Sequence, residues 1–146
     1  MVVPGGIELR ALVYELTTTT GRIPLIADLT QALGASVSTV RTLLGQLARD
    51  HVIVLQPGSD EILMAMPFSA VPTAFEVETE RFRTYGNCVW DAIGIGSMLG
   101  ETVRVRTSCP CCSVSIVIDT DRLPDDGSIA HFAVPAARWW DNVAFT

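Results

Sequence analysis

Two prolines, Pro67 and Pro72, punctuate a short loop that separates a first half patterned for helices from a second half patterned mostly for strands. Helices grouped at one end of an antiparallel sheet belong to the α+β class, and that is the class expected here. The division falls into a module over 1–66 and a second domain over 67–146. A hydrophobic content of 49% over 146 residues is enough for a packed core.

In the first module Ile7, Arg10, Ala11, Tyr14 and Glu15 open a helix, with Leu12, Val13 and Leu16 adding apolar surface. Pro24 suits a first helical turn, and Leu25, Ile26, Leu29, Ala32 and Leu33 follow before Gly34 stops the second helix. Ser36 or Ser38 introduces a third, with Val40, Leu43, Leu44 and Leu47 at helical spacing. Strands over 52–55 and 62–66 then flank the turn Gln56-Pro57-Gly58-Ser59-Asp60. Three helices and a wing make a winged-helix-like order. Charge weighs against DNA as its partner. Through residue 70, Arg10, Arg22, Arg41 and Arg49 face Glu8, Glu15, Asp28, Asp50, Asp60 and Glu61, whereas phosphate contacts need a positive surface. A structural or dimerising role, in a homodimer, is the expectation instead.

The second half holds a short strand candidate over 74–77 and a helix from Cys88 to about Leu99, capped by Asn87. Gly94 and Gly96 weaken that helix by roughly 1 kcal/mol each relative to alanine, a cost that implies close packing against their face. Strands over 103–107 and 114–118 follow, joined by the cluster Cys109-Pro110-Cys111-Cys112. The tail over 129–146 is apolar and aromatic. If it is extended, Trp139 and Trp140 point opposite ways and only one enters the core.

Cys88 and Asp91, three apart, share one face of their helix, so a soft nucleophile and a proton donor can meet at one substrate. In a first turn Cys88 gains from the free backbone N–H groups and the positive end of the helix dipole, which favour a thiolate. Asp91 lies within Val89-Trp90-Asp91-Ala92-Ile93, where burying it ionised is costly; it is partnered, protonated or facing a cleft. The plainer alternatives are a buried inert cysteine and a helix-start charge. The reactive reading requires both groups to open into one shared hollow. Cys109 and Cys112 have the spacing of zinc knuckles and redox dithiols, and Cys111 adds a third thiol. No second pair completes a four-ligand zinc site, and the cluster does not open a helix as a thioredoxin motif does. Binding of a soft cation by these three thiols remains open. His51 and His131 stand isolated, with ordinary surface or core roles expected. No apolar run is long enough for a membrane span, and the N-terminus lacks the pattern of a signal peptide. With four cysteines and no secretory signal, a soluble cytoplasmic protein with reduced thiols is expected.

Three stretches together resemble the alkylmercury (organomercurial) lyase family: Met66-Pro67-Phe68-Ser69-Ala70-Val71-Pro72-Thr73, then Asn87-Cys88-Val89-Trp90-Asp91-Ala92-Ile93-Gly94-Ile95, then Val103 to Cys109. The likeness runs from about Met66 to the end, and the winged-helix-like start agrees with the family's layout. It implies protonolysis of a carbon–mercury bond, with Cys88 as a mercury-binding thiolate, Asp91 as proton donor and mercury contact, and Cys109 as the non-catalytic cysteine of the strand turn. It further implies that no organic cofactor is required, that mercury(II) is the product ion, and that small cellular thiols accept it. The ligand it implies is an organomercurial or another thiol-reactive small molecule. The family pattern places a second mercury-binding cysteine shortly after a segment like Trp140-Asp141-Asn142-Val143-Ala144-Phe145-Thr146, and this sequence ends at Thr146. Three expectations follow: a longer parent protein, a relative impaired in cleavage, or substitution by Cys111 or Cys112. A noncatalytic soft-metal binding or sensing protein is the alternative function.

Overall fold

The computed structural model describes residues 5–122 and 127–143, and shows helices followed by antiparallel sheets. Helix α1 spans Gly6–Thr20, where the Glu8 carboxylate accepts the Gly5 backbone N–H at 2.8 Å. Its last turn is four threonines, poor helix formers whose hydroxyls here donate to carbonyls one turn back. Thr17 donates to the Val13 carbonyl at 2.7 Å, so its complete burial leaves no polar group unpaired. Helix α2 spans Ile26–Leu33, its start held by Asp28 on the Leu25 N–H and Glu61 on the Ile26 N–H, both at 2.9 Å. Helix α3 spans Val37–Arg49 with Ser36 as its cap, accepting the Thr39 N–H at 3.1 Å. Leu9 and Val13 of α1, Leu29 of α2, and Val40 and Leu44 of α3 are sealed from solvent together.

Strands β1 (Val54–Leu55), β2 (Ile62–Ala65) and β3 (Phe68–Ser69) form an antiparallel sheet in the order β1-β2-β3. The third strand lies in the stretch read as a loop. Phe68 and Ser69 pair with Ala65 and Met64 and are buried, because the prolines on either side end the strand without occupying its paired positions. The Met66–Pro67 peptide bond between β2 and β3 is cis.

The second sheet is ordered β5-β4-β6-β7, all antiparallel, from β4 (Glu76–Glu78), β5 (Arg83–Tyr85), β6 (Arg104–Ser108) and β7 (Ser115–Asp119). One face carries Val77, Thr84 and Val105 into the core. The other pairs Arg104 with Asp119 at 2.7 Å and Arg106 with Glu78 at 3.2 Å in the open. Strand β5 escapes a reading by hydrophobic pattern because Arg83 and Tyr85 flank a single buried Thr84. Helix α4 (Val89–Leu99) packs on β3 and β4 through Ala92 and Ile95. Of its two glycines, Gly96 fits the close-packing expectation: a Cβ there would stand 3.0 Å from both the Glu101 carbonyl and Val103. At Gly94 the same atom would meet Pro67 at an ordinary 4.0 Å.

One hydrophobic core runs from Leu9 through Phe68 to Val105, joining the helical part and the second sheet. The tail is not extended: Ala136–Asp141 form a short 3-10 helix. Trp139 donates its indole N–H to the Val134 carbonyl at 2.8 Å, while Trp140 stacks on His51 with ring centres 4.1 Å apart. His51 therefore has a definite partner from the far end of the chain. Residues 144–146 of the terminal motif lie outside the described residues. No helix among the described residues is long and apolar enough to cross a membrane.

Candidate active site

Gly86, at the end of β5, brings the chain into contact with the start of α4. Its N–H donates to the Phe75 carbonyl at 3.0 Å, and its carbonyl accepts the Thr73 hydroxyl at 2.6 Å. A Cβ on Gly86 would lie 2.5 Å from the Ala92 nitrogen, so no larger residue fits without moving the helix. Two residues later Cys88 is the N-cap of α4, one position before the first turn in which it was expected. The cap role suits the thiol because Sγ accepts the Asp91 N–H at 3.4 Å, which brings sulfur and carboxyl-bearing residue into one turn.

Asn87 ties that turn to the loop before β3. Its amide nitrogen lies 3.0 Å from Asp91 Oδ2, 3.2 Å from the Pro67 carbonyl and 3.4 Å from the Phe68 carbonyl, donating toward all three. The side-chain oxygen of Asn87 is buried and has no partner among the described residues. Tyr14 reaches the same place from α1, donating its hydroxyl to the Met66 carbonyl at 2.9 Å. Burial raises the Tyr14 phenol above its usual range; Arg10 opposes the shift and the charge of Asp91 adds to it. Burial likewise pushes the Asp91 carboxyl up, partly offset by the Asn87 amide. It also pushes the Cys88 thiol up, outweighing the Asp91 and Trp90 N–H groups that favour the thiolate. The helix start therefore does not by itself activate Cys88. Desolvation is the larger effect.

A second sulfur group lies on the turn between β6 and β7. Cys109 donates its N–H to the Val114 carbonyl at 2.9 Å and accepts the Ser113 N–H at 2.8 Å, with Ser113 in the left-handed region at φ 58°. The sulfurs of Cys109, Cys111 and Cys112 all lie within 4.8 Å of one another, and Cys109 and Cys111 are 3.1 Å apart. Hydrogen bonding from the Cys111 thiol, with the turn's N–H groups, lowers Cys109 to about 7; the same contact raises Cys111. Cys88 does not belong to this group.

An apolar cavity of about 450 Å³ opens between α4 and the second sheet, lined by Phe75, Val89, Ile93, Ile116 and Ile118, with Pro110 and His131 also on its wall. Val89 and Ile93 are one turn apart on α4. Cys88 and Asp91 are not among the lining residues, so this cavity is not the shared hollow expected of them; both are half-buried, and Asp91 accepts from Asn87. Cys88, Asp91 and the three clustered cysteines were singled out by residue type and spacing. Asn87 was read only as a helix cap and Tyr14 only as part of an apolar helix face. Nothing local to either residue marks its reach across more than nineteen positions to the loop at Pro67.

No curated protein matches the chain. A solved structure described as the mercury-bound form of MerB2 superposes with a TM-score of 0.60 at 17% identity, covering 80% of this chain. At that identity the likeness concerns the fold, and the chain spans 58% of that structure's length. The family model for alkylmercury lyase, MerB, matches residues 68–146, more than half of the chain and the whole of α4 and the second sheet. The chain belongs to the alkylmercury lyase family.

Proposed function

We propose that this is an organomercurial lyase-like protein in which Cys88 binds the mercury of R–Hg–X and Asp91 delivers a proton to the departing carbon. Cys88 loses its proton and displaces X from mercury. The mercury–carbon bond then breaks, its electron pair takes the Asp91 proton to give R–H, and mercury(II) stays on sulfur beside the resulting carboxylate. The observation that carries this reading is the shared turn, with the Asp91 N–H on Cys88 Sγ at 3.4 Å and the Asp91 carboxyl raised by burial. A raised carboxyl keeps its proton closer to neutral pH, where an acid catalyst needs it. The raised thiol is compatible with mercury capture, because a bound soft metal displaces a thiol proton. Asn87, donating to Oδ2, orients the carboxyl.

No organic cofactor enters this scheme, and small thiols carry mercury(II) away. Among the described residues the other three cysteines form a group separate from Cys88, so within residues 1–146 the thiolate assigned to the mercury is that of Cys88. The first module, 1–66, is read as winged-helix-like, sharing its core with 67–146 and serving a structural or homodimer-forming role rather than DNA binding. A cytoplasmic setting suits four free thiols.

The test is incubation with a phenylmercury salt and excess thiol, with benzene assayed. Benzene above the thiol-only control, lost in Cys88→Ala, supports the lyase reading. Stoichiometric capture without benzene favours the noncatalytic soft-metal binding or sensing alternative. Mercurial binding unchanged by Cys88→Ala in a background in which Cys109, Cys111 and Cys112 are all serine removes the site.

A further inference from the structure

The three thiols between β6 and β7 take no part in the scheme above. We infer that Cys109, Cys111 and Cys112 form a soft-cation site of their own, separate from Cys88 and Asp91, which takes one thiophilic divalent cation as a tris-thiolate. Three sulfurs each about 2.3 Å from a central ion stand about 4 Å apart in a plane. The observed sulfurs, all within 4.8 Å of one another, need only the 3.1 Å Cys109–Cys111 pair to open slightly. The turn is already set by the Cys109 and Ser113 backbone hydrogen bonds and by five register pairs linking β6 to β7, so little ordering is left to binding.

The donor set is sulfur alone among the described residues, which selects soft ions over magnesium or calcium. Cys111 and Cys112 are exposed, so a cation can arrive from solvent or from a small-thiol complex. Binding exchanges three S–H bonds for three S–metal bonds, and the thiol protons leave to solvent; nothing is oxidised or reduced. The site uses none of the atoms of the proposed lyase centre, so it stands or falls independently of that reading.

The test uses the full chain, reduced and desalted without oxygen, titrated with Hg²⁺ in the presence of an excess of a small monothiol. Native mass spectrometry counts retained ions, near-ultraviolet charge-transfer absorption reads the number of sulfurs, and released protons are titrated. Cys88→Ser is expected to keep one ion against the monothiol with three-sulfur absorption, releasing thiol protons as the ion binds. Cys109→Ser, Cys111→Ser and Cys112→Ser are each expected to lose three-sulfur absorption, and the triple variant to lose the retained ion while its far-ultraviolet circular dichroism is unchanged. Retention abolished in Cys88→Ser, or intact in the triple variant, overturns the site. Single variants that hold the ion as firmly as the parent overturn the tris-thiolate assignment.

Discussion

Asp91 is the residue through which pH acts on the α4 start. Burial raises its folded-state pKa above the ordinary carboxylate value, so folding favours the protonated form. The stability it contributes is fully present below the ordinary carboxylate range and is lost as pH rises through the raised value. Above that raised value the ionised, half-buried carboxylate is a net cost. Asp91→Asn, which keeps an acceptor for the Asn87 amide, is therefore expected to melt at a higher temperature than the parent once pH exceeds the raised value and at the same temperature in acid. Thermal melts across the pH range check this, and a melting-temperature difference that does not grow with pH would contradict the burial argument. The spacing of Cys88 and Asp91 is legible in sequence because a helix repeats every three to four residues. The direction of the Cys88 shift is not legible, since dipole and desolvation act oppositely and only the packing around sulfur sets their balance.

Elements with a helical period, a marked cap or a run of apolar residues were readable, and the shortest strands were not. The stops at Gly34 and Gly100, both in the left-handed region, and the Ser36 cap follow from residue type. Strands β3 and β5 are two and three residues long and exist because β2 and β4 lie alongside them. An isolated bridge between Phe68 and Gly86 then links the two sheets, beside the turn where α4 begins. Gly86→Ala tests this junction. The added methyl meets the Ala92 backbone at 2.5 Å and cannot be relieved by turning a side chain. A loss of about 1–3 kcal/mol in denaturant melts is expected, as for other overpacked sites. Loss of organomercurial capture at Cys88, read with Cys109, Cys111 and Cys112 changed to serine, should accompany it, because the methyl displaces the turn that holds Cys88. Unchanged stability would mean that α4 is not held by this contact.

At the scale of the whole molecule the tail returns to the first module, with Trp140 stacked on His51 at an interplanar angle of 8°. Such a pair is worth about 0.5–1.5 kcal/mol beyond its buried area. Trp140→Ala is expected to speed amide exchange over 136–141 and around His51 while leaving α1 unchanged; equal exchange in parent and variant would show that the stack holds nothing in place. By itself the sequence determined the α+β class, the three helices, the Cys-x-x-Asp turn and the family. The helices and the Cys-x-x-Asp turn depend on spacings within a turn or two, where residue type and backbone period suffice, and the class and family on the order in which such stretches follow one another. The tertiary structure alone decided that Asn87 and Tyr14 converge on the loop at Pro67, that Val89 and Ile93 rather than Cys88 line the apolar cavity, and that Trp140 meets His51. Those contacts join residues far apart in the chain, and the free energy that selects them comes from closing one common core.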